Sequence, residues 1–215
     1  MTTFTNRRSA AIVEVVGPPG SGKSTLVACL KTLADVVVID RPPRAGSTPD
    51  CGTGPSSTRA SARSRIPRAW RWNLRLVYLN AVAVTATVRP RAGLVVFDQG
   101  PVFTMARLLG ERSDGPSRWV KIQRRFWARR LDGLVVLNAR DEVPLERIDA
   151  RSKHHRVKGV PRSQAVDAVA DERAAIDSTV VALSGLGLRT IEADTAAADV
   201  TDTARQVLDF MAAGR

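Results

Sequence analysis

Cysteine and histidine are nearly missing from this chain: 215 residues hold Cys29, Cys51, His154 and His155 and no others. Two cysteines build no disulfide framework, and no pair of them has metal-ligand spacing. The two histidines are adjacent, so a helix would turn them to different faces, which argues against metal ligation there. Aromatic residues make up only 5% of the chain, and lysine occurs five times. No stretch approaches the roughly 20 apolar residues of a membrane span. Nor does a long apolar run precede the glycine-rich segment near the start, so the expected compartment is cytoplasmic.

Arginine is what the chain has in excess, and the net charge is +12. Eight arginines lie between Arg41 and Arg75 against the single acid Asp50, and eight basic residues lie between Arg107 and Arg130 against Glu111 and Asp114. A guanidinium fork makes paired hydrogen bonds to phosphate and stays charged at physiological pH. Three uses stay open at this stage: contacts to a phosphorylated substrate, a solvated basic face, or weak attraction to nucleic acid.

Short β-branched runs alternate with helical stretches, which predicts a parallel sheet with crossover helices in one domain over residues 1–215. "AAIVEVVG" reads as strand one, "DVVVID" as a buried strand two, "AGLVVFD" as strand three, "DGLVVLNA" as strand four and "LRTIEAD" as strand five. Helices are expected in "KSTLVACLKTLA", over 72–88, in "PVFTMARLLGE" and "SRWVKIQRRFWARRL", from about Val143 to Ala150, from Ser163 to about Leu183, and at the C-terminal end. In the 72–88 helix, Leu74, Val77, Tyr78, Ala81, Val82 and Thr85 share one face. Residues 41–71, rich in Pro, Gly, Ser and Arg with neither period, are expected to form a long mobile loop.

The segment "GPPGSGKST" matches the phosphate-binding loop spacing, with a strand before it and a helix after it as that loop requires. Glycine lets successive N–H groups face an anion. Gly17, Pro18, Pro19, Gly20, Ser21, Gly22, Lys23, Ser24 and Thr25 are therefore the expected nucleotide contacts. Lys23 would reach the β- and γ-phosphates and Ser24 would bind Mg²⁺, with the helix N-terminus adding partial positive charge. A bound triphosphate leaves the reaction open among a phosphotransferase, a GTP-dependent switch and a nucleic-acid-directed ATPase or regulator. Asn138 and Asp141 have the N-x-x-D spacing of a guanine-binding switch. Ala139 stands where such a switch has Lys, and "DQGP" places Pro101 where its turn has Gly, which argues against it.

Strand two ending in "VIDRPP", strand three ending in "VVFDQGP", and "GLVVLNARDEVPLERIDARSK" resemble the corresponding segments of the thymidylate kinase and deoxynucleoside kinase group of phosphate-loop kinases. Gln99 departs from that pattern, in which Arg follows the acid. The resemblance implies a three-layer α/β/α P-loop NTPase fold with a five-stranded parallel sheet, and transfer of the γ-phosphate of Mg-ATP to a nucleoside or nucleotide. A kinase for another metabolite, and a nucleotide-dependent regulator, are the alternatives. It further implies Asp40 as the acid that orients an acceptor hydroxyl. Strand-end position also makes Asp98 a candidate for holding Mg²⁺ through water and touching the acceptor. Arg147, Arg151 and Arg156 are candidates for closing over the triphosphate, with residues 151–162 as a basic lid. Arg68, Arg71, Arg75 and Arg107 are candidates for an acceptor phosphate. Trp70, Trp72, Tyr78, Phe103 and Trp127 could supply a stacking wall. The expected cofactors are ATP and Mg²⁺ and the expected partner is a small acceptor, phosphorylated or not, with no membrane; nucleic acid and a homodimer stay open.

Overall fold

A computed structural model describes residues 10–39, 73–81, 93–110, 117–139, 142–150 and 159–214. Five parallel strands form one sheet: β1 (Ala11–Val16), β2 (Val36–Ile39), β3 (Leu94–Asp98), β4 (Gly133–Asn138) and β5 (Thr190–Asp194), in the order β2-β3-β1-β4-β5. Helix α1 (Lys23–Leu33) follows β1, and helical turns over 73–81, here α2, precede β3. Then come α3 (Pro101–Gly110), α4 (Arg118–Ala128), α5 (Glu142–Asp149), α6 (Arg162–Ser184) and α7 (Val200–Ala213). The expected loop 41–71, Asp40, and residues 151–158 of the expected lid lie outside the described residues.

The sheet is built from runs apolar on both faces, as a doubly covered parallel sheet demands. Strand alternation divides them. Ala11, Val13 and Val15 of β1 join Leu94, Val96, Val135 and Leu137 against Leu26, Val27 and Leu30 of α1 and Ala204, Val207 and Met211 of α7. Ile12 and Val16 join Val95, Phe97, Leu134 and Val136 against α3, α4 and α6, where Trp127, Ile176 and Leu183 are fully buried. Each wholly buried Leu or Ile contributes about 1.5–3 kcal/mol relative to exposure. The layers are therefore α1 and α7, then the sheet, then α3, α4 and α6.

Helix boundaries follow local chemistry. The Ser117 hydroxyl accepts from Val120 N at 3.4 Å to start α4, and the Asp199 carboxylate accepts from Thr201 N at 2.7 Å to start α7. These amide bonds hold the Asp199 carboxyl below its usual range. Strand β1 is anchored at its beginning by Asp132, whose Oδ2 accepts from Ile12 N at 2.8 Å.

Two sequence expectations change. Strand β2 is an edge strand with Val37 42% exposed, rather than a buried one. In α2 the buried residues are Leu76 and Leu79, while Leu74, Val77 and Tyr78 are exposed. A helix carrying apolar residues on two faces does not reveal by period which one packs, and here the inward face is the one that also carries Arg75, whose guanidinium donates to Gln99 O.

Candidate nucleotide-binding site

The loop between β1 and α1 is shaped by contacts only glycine permits. A Cβ on Gly17 would lie 2.5 Å from the carbonyl oxygen of Leu137 in β4, and Gly22 takes a φ of 86° at the helix entry. Ser21 N donates to Pro18 O at 3.2 Å and closes the turn. Helix α1 has no acidic residue in its first turn and no side-chain cap. Its first N–H groups are thus left for an anion, where the helix dipole is positive.

Lys23 is buried, and its ammonium lies folded onto the loop: Nζ donates to Gly17 O at 2.8 Å and Pro18 O at 2.7 Å. Those two carbonyls face the ammonium charge inside the loop. Ser24 and Thr25 are exposed in the first turn.

Beside the loop is a hollow of about 220 Å³ lined by Gly22, Thr25, Leu26, Arg147, Thr195 and Thr203, among others. Arg147, from α5, forms its roof by donating to Gly20 O at 3.3 Å, Thr195 Oγ1 at 3.3 Å and Thr195 O at 3.0 Å. Thr195 is pinned in turn, since its N and Oγ1 both donate to Asn138 O, at 2.9 and 3.2 Å. The lining of the hollow combines this guanidinium with aliphatic and hydroxyl side chains, groups that can pack on a planar base.

Asp98 ends β3 in register with Val15 of β1, two residues before the glycine loop begins. Leu94 and Val96 point to the α1 face, and strand alternation carries Asp98 to that same face. Ser24 and Asp98 are both oxygen donors, the ligand type magnesium takes. Among the described residues no group of three or more His, Cys, Asp or Glu side chains could hold a metal by itself.

The turn after Asp98 is held by residues whose part the sequence did not disclose. Glu14, fully buried in the middle of β1, accepts from Val102 N at 2.8 Å and Phe103 N at 3.0 Å, the first amides of α3. Burial pushes its carboxyl up to about 8 although these amides and Arg75 pull it down. Gln99, at a φ of 59°, accepts from Arg75 through its carbonyl. An acid interrupting the apolar run "AAIVEVV" was the signal available.

Other candidates separate. Arg107 forms an ion pair with Glu172 at 2.9 Å and joins α3 to α6, which removes it from the proposed acceptor contacts. Phe103 and Trp127 belong to the core, Trp127 edge-on to Phe97 at 5.7 Å, and so do not line a base. Tyr78 is exposed. Asn138 Nδ2 donates to Glu192 Oε2 at 3.1 Å. Asp40, Arg68, Trp70, Arg71, Trp72, Asp141, Arg151, His154, His155 and Arg156 lie outside the described residues.

Compared with protein-family models and with curated proteins, the chain gives no match. Among solved structures it is similar to the YorR protein of Bacillus subtilis, solved in complex with phosphorylated GDP. The TM-score is 0.55 at 15% identity, covering 94% of this chain and 96% of that one. It is also similar to shikimate kinase from Acinetobacter baumannii in complex with shikimate, with a TM-score of 0.51 at 17% identity, covering 97% of this chain and 96% of that one. At these identities what is shared is architecture: the chain has the three-layer α/β fold of these two proteins, with five parallel strands in its sheet.

Proposed function

We propose that this chain is a phosphotransferase that moves the terminal phosphoryl group of Mg-ATP to a small acceptor, a nucleoside or nucleotide. The observation that carries the reading is the union of a complete phosphate loop with a base-sized hollow under Arg147. The likeness of fold to a shikimate kinase and to a protein solved with phosphorylated GDP supports the same reaction class. The nucleoside or nucleotide acceptor rests on the resemblance of "VIDRPP" and "VVFDQGP" to the nucleotide kinases.

In this reading the α1 amides and Lys23 hold the β- and γ-phosphates, and Arg147 covers the base. Ser24 and Asp98 are the groups that would hold magnesium, which when bound neutralises charge on the phosphates. The chain's contribution is position and electrostatics, because phosphoryl transfer asks for little covalent help. Lys23 must leave the carbonyls of Gly17 and Pro18 to meet the phosphate, so the loop rearranges locally on binding. Asp40, Arg151 and Arg156 are proposed for the acceptor hydroxyl and for closure over the triphosphate. The whole chain, residues 1–215, is read as one domain with a lid at 151–162, working in the cytoplasm.

The test is ADP formation with Mg-ATP against a panel of nucleosides, nucleotides and hydroxylated metabolites, shikimate included. Acceptor-dependent ADP release with a nucleoside or nucleotide is the expected result. Release only with another metabolite would move the acceptor class. Release with none, or release undiminished in Lys23→Ala, would refute the kinase.

A further inference from the structure

A strongly charged surface that the candidate nucleotide site leaves unused lies along α4. From Arg118 to Leu131 the chain carries six basic residues and no acid. At about 100° per residue, Arg118, Lys121, Ile122, Arg125 and Arg129 fall within one arc of roughly 100°. All five are exposed, while Val120, Gln123 and Trp127 on the opposite arc are buried. The four cations make no ion pair among the described residues. They form a rail about 16 Å long with a charge at nearly every turn. Asp132, just past α4, meets Ile12 at the beginning of β1, whereas the phosphate loop follows its end. The Arg129 end of the rail therefore lies at the opposite end of β1 from the phosphate loop.

One shoulder of the rail is aromatic. Trp119, Phe126 and Arg130 lie together on that flank and are half-buried. Phe126 stands edge-on to Trp127 at 5.3 Å, and the Arg130 guanidinium lies 5.8 Å from the Phe126 ring centre. A bilayer is the poorer match, because the apolar arc of α4 is already spent on the core and leaves Ile122, 47% exposed, as the one large apolar side chain on the open arc. We propose that this face of α4 binds single-stranded nucleic acid without sequence preference. The arginines and Lys121 take successive phosphates, and Trp119 and Phe126 give the bases a surface to stack on.

The experiment is fluorescence anisotropy of a labelled oligothymidylate of about 20 nucleotides, titrated with the full chain between about 50 and 200 mM NaCl. Two triple variants with equal charge change are compared, Arg118→Gln/Arg125→Gln/Arg129→Gln on the rail and Lys31→Gln/Arg189→Gln/Arg205→Gln elsewhere. All six positions are exposed, and matching circular dichroism establishes that both variants fold. The rail variant should lose at least about tenfold in affinity, and its slope of log affinity against log salt should shrink by roughly 2, at about 0.7 per lost single-strand contact. The other triple should stay within about twofold of the parent at the same salt. Lys23→Ala should bind the strand as the parent does, which keeps this result separate from the fate of the kinase reading. Equal losses in the two triples, no binding by the parent, equal affinity for a duplex of the same length, or preference for anionic phosphatidylglycerol vesicles over the strand would each overturn the proposal.

Discussion

Glu14 is the residue whose chemistry is most exposed to pH. The unfolded chain titrates it near 4.5 and the folded chain near 8, so between those values the folded state holds the extra proton. Its contribution to stability is then whole below about 4.5, declines as pH rises, and is lost above about 8. Melting temperature should fall between about pH 6 and pH 9, and Glu14→Gln should flatten that decline. The same variant should start lower at pH 6, by about 1–2 kcal/mol, because an amide nitrogen cannot accept from an α3 N–H. A parallel decline in both proteins would show that another group titrates. In the proposed kinase, Lys23 would hold the phosphates and Arg147 the base. Lys23→Met should lower phosphotransfer by about 10²–10³-fold. Arg147→Ala should weaken nucleotide affinity about tenfold, near 1.4 kcal/mol, as read by calorimetry.

At the scale of elements, the tie between α3 and α6 is the Arg107–Glu172 pair, with the Glu172 side chain only 6% exposed. Removing the cation takes a charged partner from a nearly buried carboxylate, so Arg107→Ala should cost about 1–3 kcal/mol in denaturant unfolding, with nucleotide affinity retained. How far such elements could be read in advance varies for physical reasons. Strand, glycine loop and α1 are local, and the residues "AAIVEVVGPPGSGKST" carry their own geometry, so this part of the site was legible. Helix α4 was legible because its apolar residues recur at one helical period, and α6 because it runs for 23 residues with neither Gly nor Pro, although its buried line takes in Glu172 and Thr179. The packed face of α2 was not, because Leu74, Leu76, Val77 and Leu79 leave two apolar faces, and only the tertiary packing puts Leu76 and Leu79 in the core. Strand β2 reads as four apolar residues whether it lies at the centre or the edge, since strand order is a property of the whole sheet. Thr195 escaped for a similar reason. Nothing in "EADTAAAD" shows that its threonine docks on Asn138 and carries Arg147.

For the molecule as a whole, nucleotide and stability are linked. A ligand bound only by the folded state at a hundred times its dissociation constant adds about 2.7 kcal/mol. For a chain of this size that raises the melting temperature by about 5–10 °C. Scanning calorimetry with Mg-ATP should show that rise in the parent and about half of it in Arg147→Ala; no rise in the parent would argue against a nucleotide site.

The walls of the hollow come from residues 22–26 and 195–203, far apart in the chain, bridged by Arg147. A ribosome-bound nascent chain halted before Thr195 emerges would possess the phosphate loop yet lack the opposite wall. On the proposed reading, nucleotide capture awaits the emergence of residues 195–203, and the energy it adds cannot guide the folding of the segments made before them.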